Sequence, residues 1–179
     1  WMSWQIPIST EGKYKFSRIN KINKSQIISY LKKGGIPIIT GFQGINNKNR
    51  ITTIGRGGTD ASAIMFAKFF NANKCIIYTD VDGVYSTDPN KLKSAKKIRE
   101  ISYEEMLEMA SLGAKVMQPH SIQDARLNRV DIEVRSSFSD KKGTLITKRK
   151  NIMNNQQANE FTNNKQTRKY ARYTRWNYY

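Results

Sequence analysis

The sequence has one cysteine and one histidine among 179 residues, four prolines, and 14 acidic side chains against 31 lysines and arginines. Each scarcity excludes something. With Cys75 alone, no disulfide can close within the chain, which fits a reducing compartment. His120, the single histidine, sits beside Pro119 and reads as structural, and no cluster of metal ligands stands out. Long apolar runs are missing too: nothing approaches the roughly 18 residues of a membrane span. The start, Trp1-Met2-Ser3-Trp4-Gln5-Ile6-Pro7-Ile8, lacks the basic lead and apolar centre of a signal peptide. A cytoplasmic protein without a membrane partner is the expectation.

The shortage of acids leaves a net charge of +17, which invites a nucleic-acid reading. Its distribution argues against one. Residues 148–179 hold eight basic residues and one acid, Glu160, so this tail carries +7. The other +10 is scattered among asparagines and isoleucines, an enrichment that A+T-rich coding alone produces. In the tail, Tyr170, Tyr173, Trp176, Tyr178 and Tyr179 are interleaved with basic residues, a pattern that can stack on single-stranded nucleic acid. The tail has no apolar face of usable period, so it reads as disordered, or as a non-native end, rather than as a second domain.

What the sequence does have is a glycine-rich turn between two apolar segments. Residues 51–54 are β-branched and read as a strand. Gly55-Arg56-Gly57-Gly58-Thr59-Asp60 follows, and a helix is expected from Asp60 through Ile64, Met65, Ala67 and Phe70. Three glycines in four positions permit positive φ and close approach of a ligand. Thr59 and Asp60 are natural N-cap residues, and Arg56 offers a planar pair of donors to a carboxylate or phosphate. Such a turn suits an anion. Taken alone, it fits an ordinary strand-to-helix turn equally well.

Around it, strand and helix signals alternate. Residues 9–24 read as polar and irregular. Ser25 caps a helix with Ile27, Ile28 and Leu31 on one face, ended by Gly34 or Gly35. Residues 36–40 read as a strand apolar on both faces, as a central parallel strand would be. A polar hairpin-like link over 46–50 leads into the glycine turn. Residues 74–79 form a second buried strand that empties into a turn-rich loop over 80–89, and 91–99 is a lysine-rich surface connection. Ser102 and Glu105 have the spacing of a capping box, heading a helix that stops near Gly113. Pro119 begins another helix with Ile122, Ala125 and Leu127 inside. A strand over 130–136 and a short β segment before Ile146 complete the body. This alternation predicts an α/β fold, a three-layer αβα sandwich with a mainly parallel sheet.

Three segments together resemble the aspartokinases of the amino acid kinase superfamily. The first is Thr52-Thr53-Ile54-Gly55-Arg56-Gly57-Gly58-Thr59-Asp60. The second is Tyr78-Thr79-Asp80-Val81-Asp82-Gly83-Val84-Tyr85-Ser86-Thr87-Asp88-Pro89. The third is Ser102-Tyr103-Glu104-Glu105-Met106-Leu107-Glu108 with Gly113-Ala114-Lys115-Val116. Ser3-Trp4-Gln5 and Val134-Arg135-Ser136-Ser137-Phe138 are similar to the same family, and the likeness covers residues 1–147 in order. It implies the carbamate kinase-like fold and transfer of phosphate from ATP, with magnesium as the nucleotide complex, to the side-chain carboxylate of L-aspartate. That reaction opens lysine, threonine and methionine biosynthesis. It also implies a homo-oligomer for the full-length family.

By the same resemblance, Arg56, Gly57, Gly58 and Thr59 form the aspartate loop, and Asp60 orients lysines around the phosphates. Thr79 and Asp80, with Tyr85, Ser86, Thr87, Asp88 and Pro89, hold the nucleotide. Lys115, followed by Val116, is the nucleotide-phosphate lysine, and with Asp60 it would be catalytic. The family also opens with a Lys-x-Gly-Gly loop, which this sequence lacks; Lys33-Gly34-Gly35 ends a helix instead. Asn90 stands where the family commonly has arginine, and no regulatory ACT-type segment follows Ile146. The chain opens on Trp1 in what reads as a structured segment. The expectation is therefore the C-terminal part of a catalytic domain, incomplete at its N-terminus and inactive alone. Two alternatives stay open: another amino acid kinase with a different acceptor, and a non-enzymatic fragment whose tail binds nucleic acid.

Overall fold

The computed structural model describes residues 1–148 and, as backbone, Tyr170–Thr174. It begins with a hairpin where the sequence suggested irregular chain. Strands β1 (Ile8–Lys13) and β2 (Phe16–Ile22) pair antiparallel. Their buried positions are Ile8, Thr10, Ser17, Ile19 and Ile22, so two polar residues interrupt the inward face and hide its period of two. Those polar groups are satisfied across the sheet. The Thr10 and Thr52 hydroxyls lie 2.6 Å apart, and Ser17 Oγ donates to the Thr53 carbonyl at 2.9 Å.

Strands β3 (Gln43–Ile45) and β4 (Ile51–Thr53) form the expected hairpin over 46–50. Asn46 Oδ1 accepts from the backbone of Lys48 and Arg50, and Asn49 takes a left-handed φ of 55°. The four strands order as β2-β1-β3-β4. Helix α1 (Ser25–Lys32) is present, but Ser25 is its first residue rather than its cap: Lys24 takes the N-cap position without a side-chain bond, and just before it Asn23 Oδ1 accepts from the Ser25 N–H and hydroxyl. Of its three apolar positions only Ile27 is buried; Ile28 and Leu31 are exposed.

The strand expected over 36–40 does not form. Ile36 and Ile38 are 84% and 82% exposed. Among the described residues the hydrogen bonds of this segment go to a single residue, Trp1, whose carbonyl accepts from Thr40 N–H and whose amine donates to the Ile38 carbonyl. One partner residue cannot propagate a ladder, whatever the intrinsic preference of the run.

The second sheet carries the other described strands. Its order is β6 (Glu100–Ser102), β8 (Thr144–Thr147), β7 (Ile132–Ser136), β5 (Lys74–Thr79) and β9 (Tyr170–Thr174). Three of its four pairings are parallel and β7–β8 is antiparallel. Helices α2 (Gly58–Phe69), α3 (Tyr103–Ser111) and α4 (Pro119–Asn128) bury Ile64, Met106 and Ile122 against Cys75, Ile77, Ile132, Val134 and Ile146. The capping box at Ser102 and Glu105 is formed, Gly113 at φ 109° follows the end of α3, and Pro119 stands in the first turn of α4. Leu127, expected inside, is exposed at the end of α4.

The α/β class is as expected, with the four-stranded mixed sheet added to the mainly parallel five-stranded one. Helix α2 joins the two parts. Ala63, Ile64 and Ala67 face the larger core, while Met65, Phe66, Phe69 and Phe70 pack on Ile6, Ile8, Ile19, Ile22 and Ile27. Among the described residues no helix is long and apolar enough to cross a membrane. Apart from Lys148 and the backbone of Tyr170–Thr174, the tail expected over 148–179 lies outside the described residues.

Candidate active site

The glycine turn shapes the start of α2. Gly57 adopts a left-handed conformation, φ 67° and ψ 12°, and serves as N-cap, while Gly55 has φ 89°. The helix therefore begins at Gly58, two residues before the position expected from sequence. Thr59 and Asp60 are first-turn residues, not caps, because the left-handed glycine turns the chain first. Gly58 N–H donates to the Gly55 carbonyl at 2.9 Å, and the N-cap residue, a glycine, has no side chain with which to cap the helix. Arg56 is left exposed at the tip of the turn. Asp60 is buried in the first turn, where the helix dipole favours its charge. Burial pushes the Cys75 thiol up to about 12, and the Asp60 charge adds to it.

Two further residues brace this turn, and sequence gave little signal for either. Ser62 Oγ donates to the Gly58 carbonyl at 2.6 Å and accepts from Phe42 N–H at 3.0 Å. Ser121 Oγ donates to the Gly57 carbonyl at 3.2 Å from the first turn of α4. A Cβ on Gly57 would stand 2.6 Å from Gln118 Cγ and 3.1 Å from His120 Cε1. The stretch from Gly113 into α4 thus rests on the arginine turn. It carries exposed Lys115, half-buried Val116 and buried Met117. His120 is exposed, with its ring edge beside Gly57.

The second segment leaves the carboxyl end of β5. Thr79 is buried, its hydroxyl donates to Asp80 Oδ1 at 2.9 Å, and its carbonyl accepts from Ser137 N–H at 2.8 Å. Asp80 is exposed. Tyr85 donates its hydroxyl to Asp82 Oδ1 at 2.8 Å, a bond that lowers the Asp82 carboxyl below its ordinary range, with Lys97 adding to it, and raises the Tyr85 phenol. Ser86, Thr87, Asp88 and Pro89 are exposed. Asp88 Oδ1 accepts from Asn90 N–H at 2.9 Å, closing a tight turn.

Topology brings these pieces to one end of the sheet. Helix α2 returns into β5 and α4 returns into β7, two parallel neighbours in which Thr79 is opposite Ser136. The starts of both helices therefore lie toward the carboxyl ends of both strands, where open α/β sheets hold ligands. The Arg56 turn, the Lys115 stretch and the Thr79–Asp80 strand end share that side. A concavity lined by Tyr14, Asn46, Asn49, Arg50 and Ile51 lies elsewhere, at the hairpin tips. Among the described residues no group of three or more His, Cys, Asp and Glu side chains is arranged to hold a metal ion.

This arrangement of strand ends and glycine-capped helix is that of an amino acid kinase, and comparison with known proteins agrees. The profile of the Amino acid kinase family matches residues 5–136, and the chain belongs to that family. More particularly, it is similar to aspartokinases. It is 42% identical over 165 residues to the aspartokinase of Rickettsia felis, covering 92% of this chain and 41% of the relative. It is 46% identical over 152 residues to aspartokinase 2 of Bacillus subtilis, covering 85% of this chain and 37% of the relative. Among solved structures, Escherichia coli aspartokinase III in complex with aspartate and ADP superposes with a TM-score of 0.74 at 32% identity, covering 85% of this chain and 35% of that one. The chain spans about two fifths of the length of these curated relatives.

Proposed function

We propose that this chain forms the aspartate- and nucleotide-holding part of an aspartokinase, which transfers the terminal phosphoryl group of ATP to the side-chain carboxylate of L-aspartate. The observation that carries the reading is the shared position of the three segments at the carboxyl ends of β5 and β7, with Gly57 locked against α4. Support comes from E. coli aspartokinase III, which matches this chain in fold while bound to aspartate and ADP.

The carboxylate nucleophile is already ionised at neutral pH, so no general base is required. The work is to hold two anions together and offset charge on the phosphoryl group in flight. Arg56 at the start of α2 pairs with a carboxylate of aspartate, and Gly57, Gly58 and Thr59 let it approach the backbone. Asp60, buried behind them, orients cations around the phosphates. Thr79, Asp80 and residues 85–89 receive the nucleotide, and Lys115, steadied by Val116 and Met117, reaches its phosphates. Magnesium would arrive with the nucleotide, since the described residues offer no cage of their own. Cytoplasmic location and homo-oligomeric assembly are part of the same proposal.

The test is ligand-induced stabilisation of this chain, read as a rise in Tm with L-aspartate, L-glutamate, carbamate or uridine monophosphate, each with and without ADP. Stabilisation by aspartate and by ADP, and by none of the other three acceptors, is expected. A response to another acceptor with none to aspartate would replace this reading with that of a different amino acid kinase.

A further inference from the structure

We propose that Lys97 is a positioning residue for the nucleotide loop, fastening residues 82–86 to the turn before β8 and so fixing the pose of the Tyr85 ring. The inference rests on the reading of 79–89 as the nucleotide loop. In sequence, Lys97 is one of a run of lysines that reads as a solvated connection, and Lys91, Lys93 and Lys96 are indeed exposed. Lys97 differs. Its side chain is only 24% exposed, and its ammonium donates to three acceptors: the Asp82 carbonyl at 3.1 Å, Asp82 Oδ2 at 3.2 Å and the Lys142 carbonyl at 2.9 Å. Three donors meet three acceptors, so the head group is fully used within the protein.

The second oxygen of the same carboxylate extends the link. Asp82 Oδ1 accepts from the Tyr85 hydroxyl, which makes Asp82 a bridge between Lys97 and the ring. Backbone pairing supports the bridge: Tyr85 is opposite Lys97, Ser86 N–H donates to the Lys96 carbonyl at 2.9 Å, and Ile98 N–H donates to the Val84 carbonyl at 2.8 Å. Thr144 Oγ1 closes the frame by accepting from Val84 N–H at 2.8 Å and donating to the Ile98 carbonyl at 2.5 Å. The space is tight. A Cβ on Gly83 would stand 2.6 Å from Thr144 Oγ1 and 3.2 Å from Lys97 Cδ.

Because the Tyr85 hydroxyl is committed to Asp82, the ring face and the neighbouring backbone are what this residue can present to a nucleotide. Lys97 therefore acts on the nucleotide only through the loop, and on the acceptor site not at all. That selectivity separates positioning from a general contribution to folding.

The experiment compares the intact 179-residue chain with Lys97→Met, Lys97→Arg and Lys93→Met. Three quantities are read: affinity for a fluorescent ADP analogue, affinity for L-aspartate, and amide exchange over residues 82–86. Lys97→Met is expected to weaken the ADP analogue about 10-fold, speed exchange over 82–86 and leave aspartate affinity unchanged. Lys97→Arg should recover most of the loss and Lys93→Met should behave as wild type. Unchanged nucleotide affinity in Lys97→Met would overturn the proposal, as would an equal loss of both ligands, which marks a merely structural lysine. A wild-type chain that binds aspartate but not the ADP analogue would overturn both the nucleotide reading of the loop and the role of Lys97.

Discussion

The Ser121 hydroxyl donates to the Gly57 carbonyl at 3.2 Å, joining residues 64 positions apart and seating the start of α4 on the turn that carries Arg56. Gly57 is left-handed there, and Gln118 occupies the space where a side chain would begin. Gly57→Ala combines a left-handed strain with a contact at 2.6 Å and should cost about 1–3 kcal/mol of stability. Denaturant unfolding gives the loss. Aspartate affinity should fall further than stability alone accounts for, because the Arg56 turn must shift.

The Ser102–Glu105 capping box fixes the start of α3 beside β6. Ser102 Oγ accepts from Glu105 N–H at 3.1 Å and Glu105 Oε2 accepts from Ser102 N–H at 2.9 Å. Ser102→Ala should lower the unfolding free energy by about 1 kcal/mol. A double-mutant cycle with Glu105→Ala should be non-additive, since each side chain satisfies the other's backbone.

That box was readable in sequence because capping is a local matter of two residue types at a fixed spacing. So were strand β5, the stop at Gly113 and the proline-led start of α4. The hairpin of β1 and β2 was not, since Thr10 and Ser17 occupy inward positions and only their partners Thr52 and Thr53 make that tolerable. Residues 36–40 failed in the opposite sense. Their apolar run is a good strand, but a strand needs a neighbour, and among the described residues Trp1 alone supplies it. At the candidate site, sequence named the segments and missed their braces. Ser62, Ser121 and Lys97 act through contacts set only by the fold.

Glu133 sits on the face of the five-stranded sheet turned away from the helices, 6% exposed, bonded to Lys74 and Arg135. Burial alone would raise its carboxyl, but the hydrogen bonds and charges of these two cations outweigh it and hold the group below its ordinary range. A lowered folded value contributes stability that is present above the unfolded carboxylate value, about 4.3, and lost as pH falls through the folded one. Glu133→Gln should therefore lower stability by about 1–3 kcal/mol at pH 7, and the gap from wild type should narrow under acid. Urea unfolding as a function of pH tests both the size and the sign.

Cys75 is fully buried in the larger core, with its thiol pushed up to about 12 by burial first and the Asp60 charge second. Thiolate is the reactive species, so the native chain should resist alkylation at pH 8. Modification should follow opening of the α2–β5 core and accelerate in step with unfolding in denaturant. Rapid labelling without denaturant would mean that this core opens far more readily than its packing implies.

Lys115 lies exposed between the end of α3 and the α4 turn that touches Gly57, close in sequence to buried Met117. Its exposed side chain extends from a stretch anchored by Met117. If it meets the phosphates, its charge matters most as the phosphoryl group moves, and removing one such donor typically costs about 3–4 kcal/mol of barrier. In a full-length protein containing this chain, Lys115→Ala should cut kcat by about 10²-fold or more while the KM for aspartate stays near wild type. Lys93→Ala, on an exposed connection, should change neither. An unaltered kcat in Lys115→Ala would remove this lysine from the phosphate site and leave Arg56 as the cation on which the site depends.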